Sequence, residues 1–476
     1  MASKTTLNAK NLETLGTAAL AELLIEISTG SAAAKRRLRL ALAGGQGPRE
    51  AAAEIRKRLA TVRKSRAHVG YKQRKALADD LTSQARAILQ QVAPADPADA
   101  LDLMWQFTGL ANSVFDRCDD SNGTVISIFH DACAQLGPLA LAARPTPARL
   151  ADQMLDALTE NDYGQYDDLI AILTPALGPQ GLLMLKAQVT ALGDVPVPPK
   201  SAWQIVAYGT GGPFYAHQMA QSQRSRVVEM ALKNLADAMG DVDAFIAGYT
   251  PEARQMPAVA AAIAARLLSA DRAAEALAAL DAIDTKDRRW IPDEWHDTRL
   301  AVLEALGRPE AAQAHRWQCF AKSLAIPFLQ AYLKRLPDFD DIEAEDRAMA
   351  LAAVYPNAGL ALWFLVHWPA LARASALVLA RAADLDGDRY DILTPAAEAL
   401  AEPYPLAAVL TLRAMIDFAL TKGRASRYTH AARHLQDCAV LDGRIADYCS
   451  AEPHGTYIAR LRNQHARKTS FWQAFG

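Results

Sequence analysis

Apolar residues recur through this chain at three- and four-residue intervals, and glycine or proline repeatedly interrupts the pattern. Leu20, Leu23, Leu24 and Ile27 fall at i, i+3, i+4 and i+7, the stripe of an amphipathic helix. Gly30 ends that helix, and a second begins near Ser31 and runs to about Ala43, where Gly44, Gly45 and Gly47 break it. Pro48 suits the first turn of a third helix, in which Ile55, Leu59 and Val62 share a face. A fourth runs from about Lys72 to Val92 and stops at Pro94 and Pro97. Hydrophobic residues make up 51% of the chain but aromatics only 7%, so the apolar mass is mostly Ala and Leu, which form helices rather than strands. The expected fold is all-α, an α-solenoid of stacked helical hairpins in two helical subdomains, with no substantial sheet.

At 476 residues the chain exceeds what one core supports. Asp96-Pro97-Ala98-Asp99 opens a helix with a good capping turn, and further helices are expected at about 124–142, 147–159, 165–177 and 179–192. The last two meet at Leu177-Gly178-Pro179. Gly193 to Lys200 carries three prolines and reads as a linker. The expected organisation is a basic helical region over 1–95, a helical subdomain over 96–192, a linker over 193–200 and a repeat domain over 201–476 with a C-terminal cap. In that cap Phe471, Trp472 and Phe475 close the stack.

Five cysteines without a C-x-x-C pair suggest neither a disulfide framework nor a zinc knuckle. Met1 to Lys10 is polar, unlike a secretion signal, and the apolar run from Gly359 is interrupted by His367, Pro369 and Arg373, so a cytoplasmic protein is expected. The net charge of −2 conceals an asymmetry. Residues 1–92 hold 17 Lys/Arg against 7 Asp/Glu, and residues 93–421 hold 25 against 42. Residues 422–476 hold 9 against 4. Such a distribution bears on partners rather than fold.

Leu267 to Leu280 (LLSADRAAEALAAL) and Leu303 to Ala314 (LEALGRPEAAQA) each read as a helix end, a short turn and an Ala-rich helix. Ala276 and Ala312 lie 36 residues apart, and a third such turn occurs at 419–424. These segments resemble tetratricopeptide-type repeats, although the Trp and Tyr landmarks of that repeat are not in place. LAELLIEISTGSAAAKRRLRLALAG (20–44), ALDLMWQFTGLANSVFDRCDDSNG (100–123) and NDYGQYDDLI (161–170) resemble an uncharacterised proteobacterial helical-repeat family of unknown function. The end, RYTHAARHLQDC with HGTYIARLRNQHARKTSFW, is also similar to the helical region of bacterial SWIM zinc-finger proteins. The zinc motif of those proteins needs a C-x-C that this chain lacks. The resemblance therefore implies a helical scaffold, not a reaction.

Candidate sites are few. Residues 35–75 hold 14 Lys/Arg and 2 acidic residues. Lys35, Arg36, Arg37, Arg39, Arg56, Lys57, Arg58, Arg63, Lys64 and Arg66 are candidates for touching the phosphates of a nucleic acid, against the alternative of a solvated face complementing the chain's own acidic middle. Asp162, Tyr163, Gln165, Tyr166 and Asp167 read equally as a partner-binding loop or a capped interhelical turn. His430, His434 and Cys438 lie on one helical stripe and could hold zinc, but a structural role is favoured, so no metal and no cofactor are expected. Asp116 to Gly123 and Asp384 to Asp388 fail as EF-hand loops and read as helix-ending turns whose glycines take positive φ. Gly209 to Pro213 lacks the Lys-Ser/Thr of a phosphate loop and reads as a loop leading into a helix. No catalytic constellation is present. The expectation is a non-enzymatic scaffold or adaptor for a protein partner, with the acidic middle as docking surface. The alternative is a nucleic-acid-associated protein acting through 35–75.

Overall fold

The computed structural model describes residues 6–196, 203–209, 212–285 and 290–476. Among the described residues the chain is all-α apart from one short hairpin, and it divides into two compact units, Met1–Thr285 and Lys286–Gly476.

In the first unit α1 (Thr17–Ser28), α2 (Ala32–Gln46), α3 (Pro48–Lys64) and α4 (Tyr71–Ala87) follow the apolar periodicity. The Ser31 hydroxyl accepts from Ala34 N–H at 3.2 Å and starts α2, while Pro48 occupies the first turn of α3. Helix α2 runs on through Gly44 and Gly45 and breaks only at Gly47. Gly44 stays helical, and a Cβ there would lie 2.3 Å from Gln91 Oε1, the end of a flexible side chain that would have to shift. Helix α4 passes into a π-helical turn, Ile88–Val92. Next come α5 (Pro97–Thr108), capped by Asp96, then α6 (Thr124–Ala143), α7 (Pro147–Thr159) and α8 (Leu169–Gly193). Helix α8 is two helices joined at Gly178, whose φ of 66° only glycine adopts readily. Ile55, Phe107, Phe129, Leu136, Leu173 and Leu185 are buried in one core shared by these helices. Helices α6 and α8 are long and apolar enough to cross a membrane. Both instead supply side chains to that core, and α8 is broken midway.

Part of the expected linker, 197–200, lies outside the described residues. Beyond it strands β1 (Ile205–Gly209) and β2 (Gly212–Tyr215) form an antiparallel hairpin that leads straight into α9 (Ala216–Ala238). The expected loop before a helix is thus a hairpin, with its turn residues 210 and 211 outside the described ones. Helix α9 packs on α8 within the first unit, and the units divide between Thr285 and Lys286 rather than at the expected linker. Helices α10 (Pro257–Ser269) and α11 (Ala273–Asp281) complete the unit as a hairpin.

The second unit is a succession of hairpins: α12 (Asp293–Ala305) with α13 (Pro309–Ser323), then α14 (Ile326–Leu333), α15 (Asp340–Ala353), α16 (Ala358–His367) and α17 (Leu371–Arg381). Helices α18 (Tyr390–Ala401), α19 (Pro405–Thr421), α20 (Tyr428–Asp442), α21 (His454–His465) and α22 (Thr469–Phe475) follow. From α12 to α21 each packs on its sequence neighbour, α22 packs on α20, and α16 with α18 and α17 with α19 also pack on one another.

One backbone device recurs in the hairpin turns of both units. Asp241, Arg272, Arg308 and Arg424 N–H donate to the carbonyls of Ala236, Leu267, Leu303 and Ala419 at 2.8–2.9 Å. In each turn the residue before the donor is left-handed: Gly240, Asp271, Gly307 and Gly423, with φ of 59–69°. This is the Schellman termination, in which a left-handed residue lets the chain reverse while satisfying a terminal carbonyl. Its recurrence gives the hairpin pattern a physical basis in both units.

Candidate functional site

The ten basic candidates lie on α2, on α3 and just beyond it. Burial of Ile55, Leu59 and Val62 turns the opposite face of α3 outward. Not all of its cations are free. Asp80 on α4 accepts from Arg58 Nε at 2.8 Å and lies 3.8 Å from Arg36, and Arg56 pairs with Asp99. Arg63 donates to the Gln106 carbonyl at 3.3 Å. Lys35, Arg37, Arg39, Lys57, Lys64 and Arg66 are exposed. Lys35, Arg39 and Lys57 line a cleft of about 400 Å³ that also includes Arg36, Arg58 and Glu54. That arrangement can hold an anion.

The Asp162–Asp167 segment is a turn locked into the first unit. Tyr166 is 2% exposed, and its hydroxyl lies 3.0 Å from Thr108 Oγ1. Gln165, also 2% exposed, donates to Asn112 Oδ1 at 3.3 Å and to the Glu160 carbonyl at 2.9 Å. Asn112 and Gln223 both donate to the Asp162 carboxylate, Tyr163 OH donates to Asp116, and Asn161 donates to Asp167. Gln165 and Tyr166 are therefore corrected from partner-binding candidates to interior residues. The polar side chains of this segment find their partners on the surrounding helices, Thr108, Asn112 and Asp116 among them, as buried polar groups must.

The Asp116–Gly123 turn has the expected form: Gly123 has φ of 72°, and Asp120 caps α6 by accepting from Val125 and Ile126 N–H at 2.9 and 2.8 Å. Gly387 differs from expectation, since it does not take positive φ. It is needed for close approach: a Cβ there would lie 2.1 Å from the Ala414 carbonyl oxygen on α19.

His430, His434 and Cys438 do not converge. His430 is exposed, His434 is 8% exposed and Cys438 is fully buried, with Sγ 3.9 Å from the Val409 carbonyl. Burial pushes the Cys438 thiol up to about 12 and holds His434 below the usual imidazole range, although Asp437 opposes the latter. The two histidines instead line a groove of about 750 Å³ between α18 and α20. Leu412, Ala397 and Leu441 give it apolar lining, and Arg433 and Glu398 give it charge. It can take a ligand with an apolar body and a polar group.

A different cluster does converge. His296 on α12 and His315 and Cys319 on α13 bring three potential ligand atoms together. His296 Nδ1 lies 3.2 Å from His315 Nε2, and Cys319 Sγ lies 3.3 and 3.5 Å from those same two nitrogens. The helices are tied by the buried Arg316, which pairs with Glu304 and donates to Gln313 at 3.0 Å. Trp295 and Phe328 rings stand edge-on to His296. Burial holds His315 down to about 4, aided by His296, and pushes Cys319 up to about 11. Both groups are thus neutral near pH 7, so the pair is not a preformed thiolate–imidazolium nucleophile. The sequence signal for this cluster was His315 and Cys319 at i, i+4 on the second helix of a hairpin whose first helix carries His296.

A family whose model covers residues 2–474 matches this chain. The chain belongs to DUF6880, a family of unknown function. Nearly the whole length is spanned, so both units of this DUF6880 member fall within one family rather than being a known module joined to an unknown one. No curated protein matches it.

Proposed function

We propose that this DUF6880 protein is a non-enzymatic helical-repeat scaffold, built on tetratricopeptide-like hairpins, that docks a protein partner through its N-terminal helices. The observation that carries this reading is the exposed apolar surface of α1. Leu23, Leu24, Ile25 and Ile27 are 38–68% exposed, and Leu42 on the neighbouring α2 is 68% exposed. Ser28 is the only residue of α1 that is buried. An amphipathic helix normally hides such residues, and soluble proteins rarely leave a contiguous apolar patch without a binding role. The exposed Lys35, Arg37 and Arg39 follow on α2, so the fitting partner has an apolar groove with an acidic rim.

The test replaces Ile25 and Ile27 with Asp in the full chain. Proteins retained from the native cell extract are compared with those of the wild type, and molar mass is measured by light scattering. The variant should keep its far-UV circular dichroism and lose a specific protein. An identical retained set, with both chains monomeric, would refute the reading; a wild-type dimer that the variant dissolves would make the partner a second copy. The cleft rimmed by Lys35, Arg39 and Lys57 supports a second reading, sequence-independent binding of nucleic-acid phosphates.

A further inference from the structure

We propose that His296, His315 and Cys319 form a zinc site that pins α12 to α13, with water as the fourth ligand. The argument is the shape of the donor triangle. Around a tetrahedral zinc, metal–nitrogen distances of ~2.0 Å and a metal–sulfur distance of ~2.3 Å place two nitrogens ~3.3 Å apart and nitrogen and sulfur ~3.5 Å apart. The observed separations are 3.2 Å for the nitrogens, and 3.3 and 3.5 Å from each nitrogen to sulfur. All three edges use the same three atoms, so one ion can meet all three at once.

Two imidazoles and a thiolate form a donor set that suits zinc and disfavours calcium and magnesium, which take oxygen. Rigidity is supplied on both sides. His315 and Cys319 share one face of α13, four residues apart, and His296 is held on α12 between the rings of Trp295 and Phe328. Trp295 is 4% exposed and Cys319 7%, so the donors sit at the edge of the core rather than on a mobile surface. Zinc binds the thiolate, so one proton leaves Cys319 for solvent as the sulfur–metal bond forms, and both imidazoles bind neutral. No electron is transferred. Three protein ligands leave one position for water, and His296 is the ligand that carries the link from the ion to α12.

The alternative occupant of the triangle is nothing more than hydrogen bonds among a thiol and two imidazoles. A titration of the full-length chain with Co²⁺, after removal of adventitious metal by a chelator, distinguishes the two. Zinc-type coordination predicts saturation near one equivalent, a near-ultraviolet thiolate-to-cobalt charge-transfer band and the visible spectrum of a four-coordinate ion. Added Zn²⁺ should bleach both and raise the melting temperature. Cys319→Ser should abolish the charge-transfer band, and His315→Ala should weaken binding by more than the ~10–100-fold typical of losing an outer-shell partner. The double variant His430→Ala/His434→Ala should bind as the wild type does. Should Cys319→Ser fail to fold by circular dichroism, His296→Gln carries the affinity comparison. No charge-transfer band from the wild type at one equivalent, or a band that survives Cys319→Ser, would overturn the proposal.

Discussion

Replacing Phe471 by Ala tests whether the C-terminal helix is part of the second unit's core. The Phe471 side chain is fully buried, standing edge-on to Tyr428 of α20 at 6.3 Å and to Trp472 at 4.9 Å. Its helix α22 packs along α20, and Gln436 of α20 donates to the Phe475 carbonyl at 2.9 Å. Truncating a buried Phe removes transfer energy and leaves a cavity, together about 3–5 kcal/mol. A domain's total stability is about 5–15 kcal/mol, so this is a large fraction. Each kcal/mol shifts the midpoint of a 150–250-residue domain by about 2–4 °C, which predicts a fall of about 6–20 °C for the second unit.

The companion variant Trp472→Ala should lower the midpoint less. Trp472 is only half-buried, although it would lose the bond from Nε1–H to the His465 carbonyl at 3.0 Å and the cation stacking of Arg462. Calorimetry or thermal circular dichroism on the full chain reads both, and truncation after Arg467 should match or exceed Phe471→Ala. A midpoint unchanged within about 2 °C for Phe471→Ala, far less than cavity energetics demand, would refute the capping argument and leave α22 as a detachable docking tail.

Other consequences follow from single contacts. Gly387→Ala forces a Cβ against the Ala414 carbonyl and Phe418, so urea unfolding should show a loss of about 1–3 kcal/mol or more. Burial depresses the folded-state pKa of His434 and His454 below 6.5, so the unfolded chain takes up more protons in acid. Stability should be level above about pH 6.5, fall as the pH drops from there toward the depressed values by at most about 1.4 kcal/mol per pH unit for each histidine, and level off below them. His434→Gln should flatten that decline in denaturant midpoints measured across a pH series, and a steeper decline would contradict it. Lys35, Arg39 and Lys57 changed together to Gln should weaken any binding of random DNA or RNA and reduce its salt dependence, read by fluorescence anisotropy. Arg58→Gln should instead lower stability, because it strips Asp80 of its closest partner.

Helix existence was legible because periodicity and punctuation are local. Asp96-Pro97, Gly178 and the turn at 303–308 act within a few residues of themselves, and each appears in the role its chemistry suggests. Burial was less legible, because it depends on what faces a stripe. Leu23, Leu24 and Ile27 have the spacing of a core face, yet among the described residues they remain exposed. Gly387 differs from its local reading for a similar reason: it is glycine because a distant segment approaches it, not because its own backbone must turn. Tyr166 reads equally as a contact residue or part of a capped turn, because a tyrosine in a polar loop carries no mark of the helix against which it is buried.

The same distinction decides which histidine–cysteine set can act together. Four residues of α-helix advance the azimuth by ~400°, so every i, i+4 step drifts ~40° around the axis. Two steps carry His430 to Cys438 through ~80°, enough on a packed helix to pass from solvent to core. The observed gradient follows that drift, with His430 exposed, His434 nearly buried and Cys438 fully buried against α19. Their side chains share a stripe but not an environment. His315 and Cys319 are separated by one step, small enough for both to face α12, and the third donor comes from across the hairpin at His296. A chelating triangle needs donors from two directions, which one helical stripe cannot supply. The spacing that drew attention to residues 430–438 therefore argues against that stripe, and the hairpin of α12 and α13 meets the requirement because its donors were never in one periodic pattern.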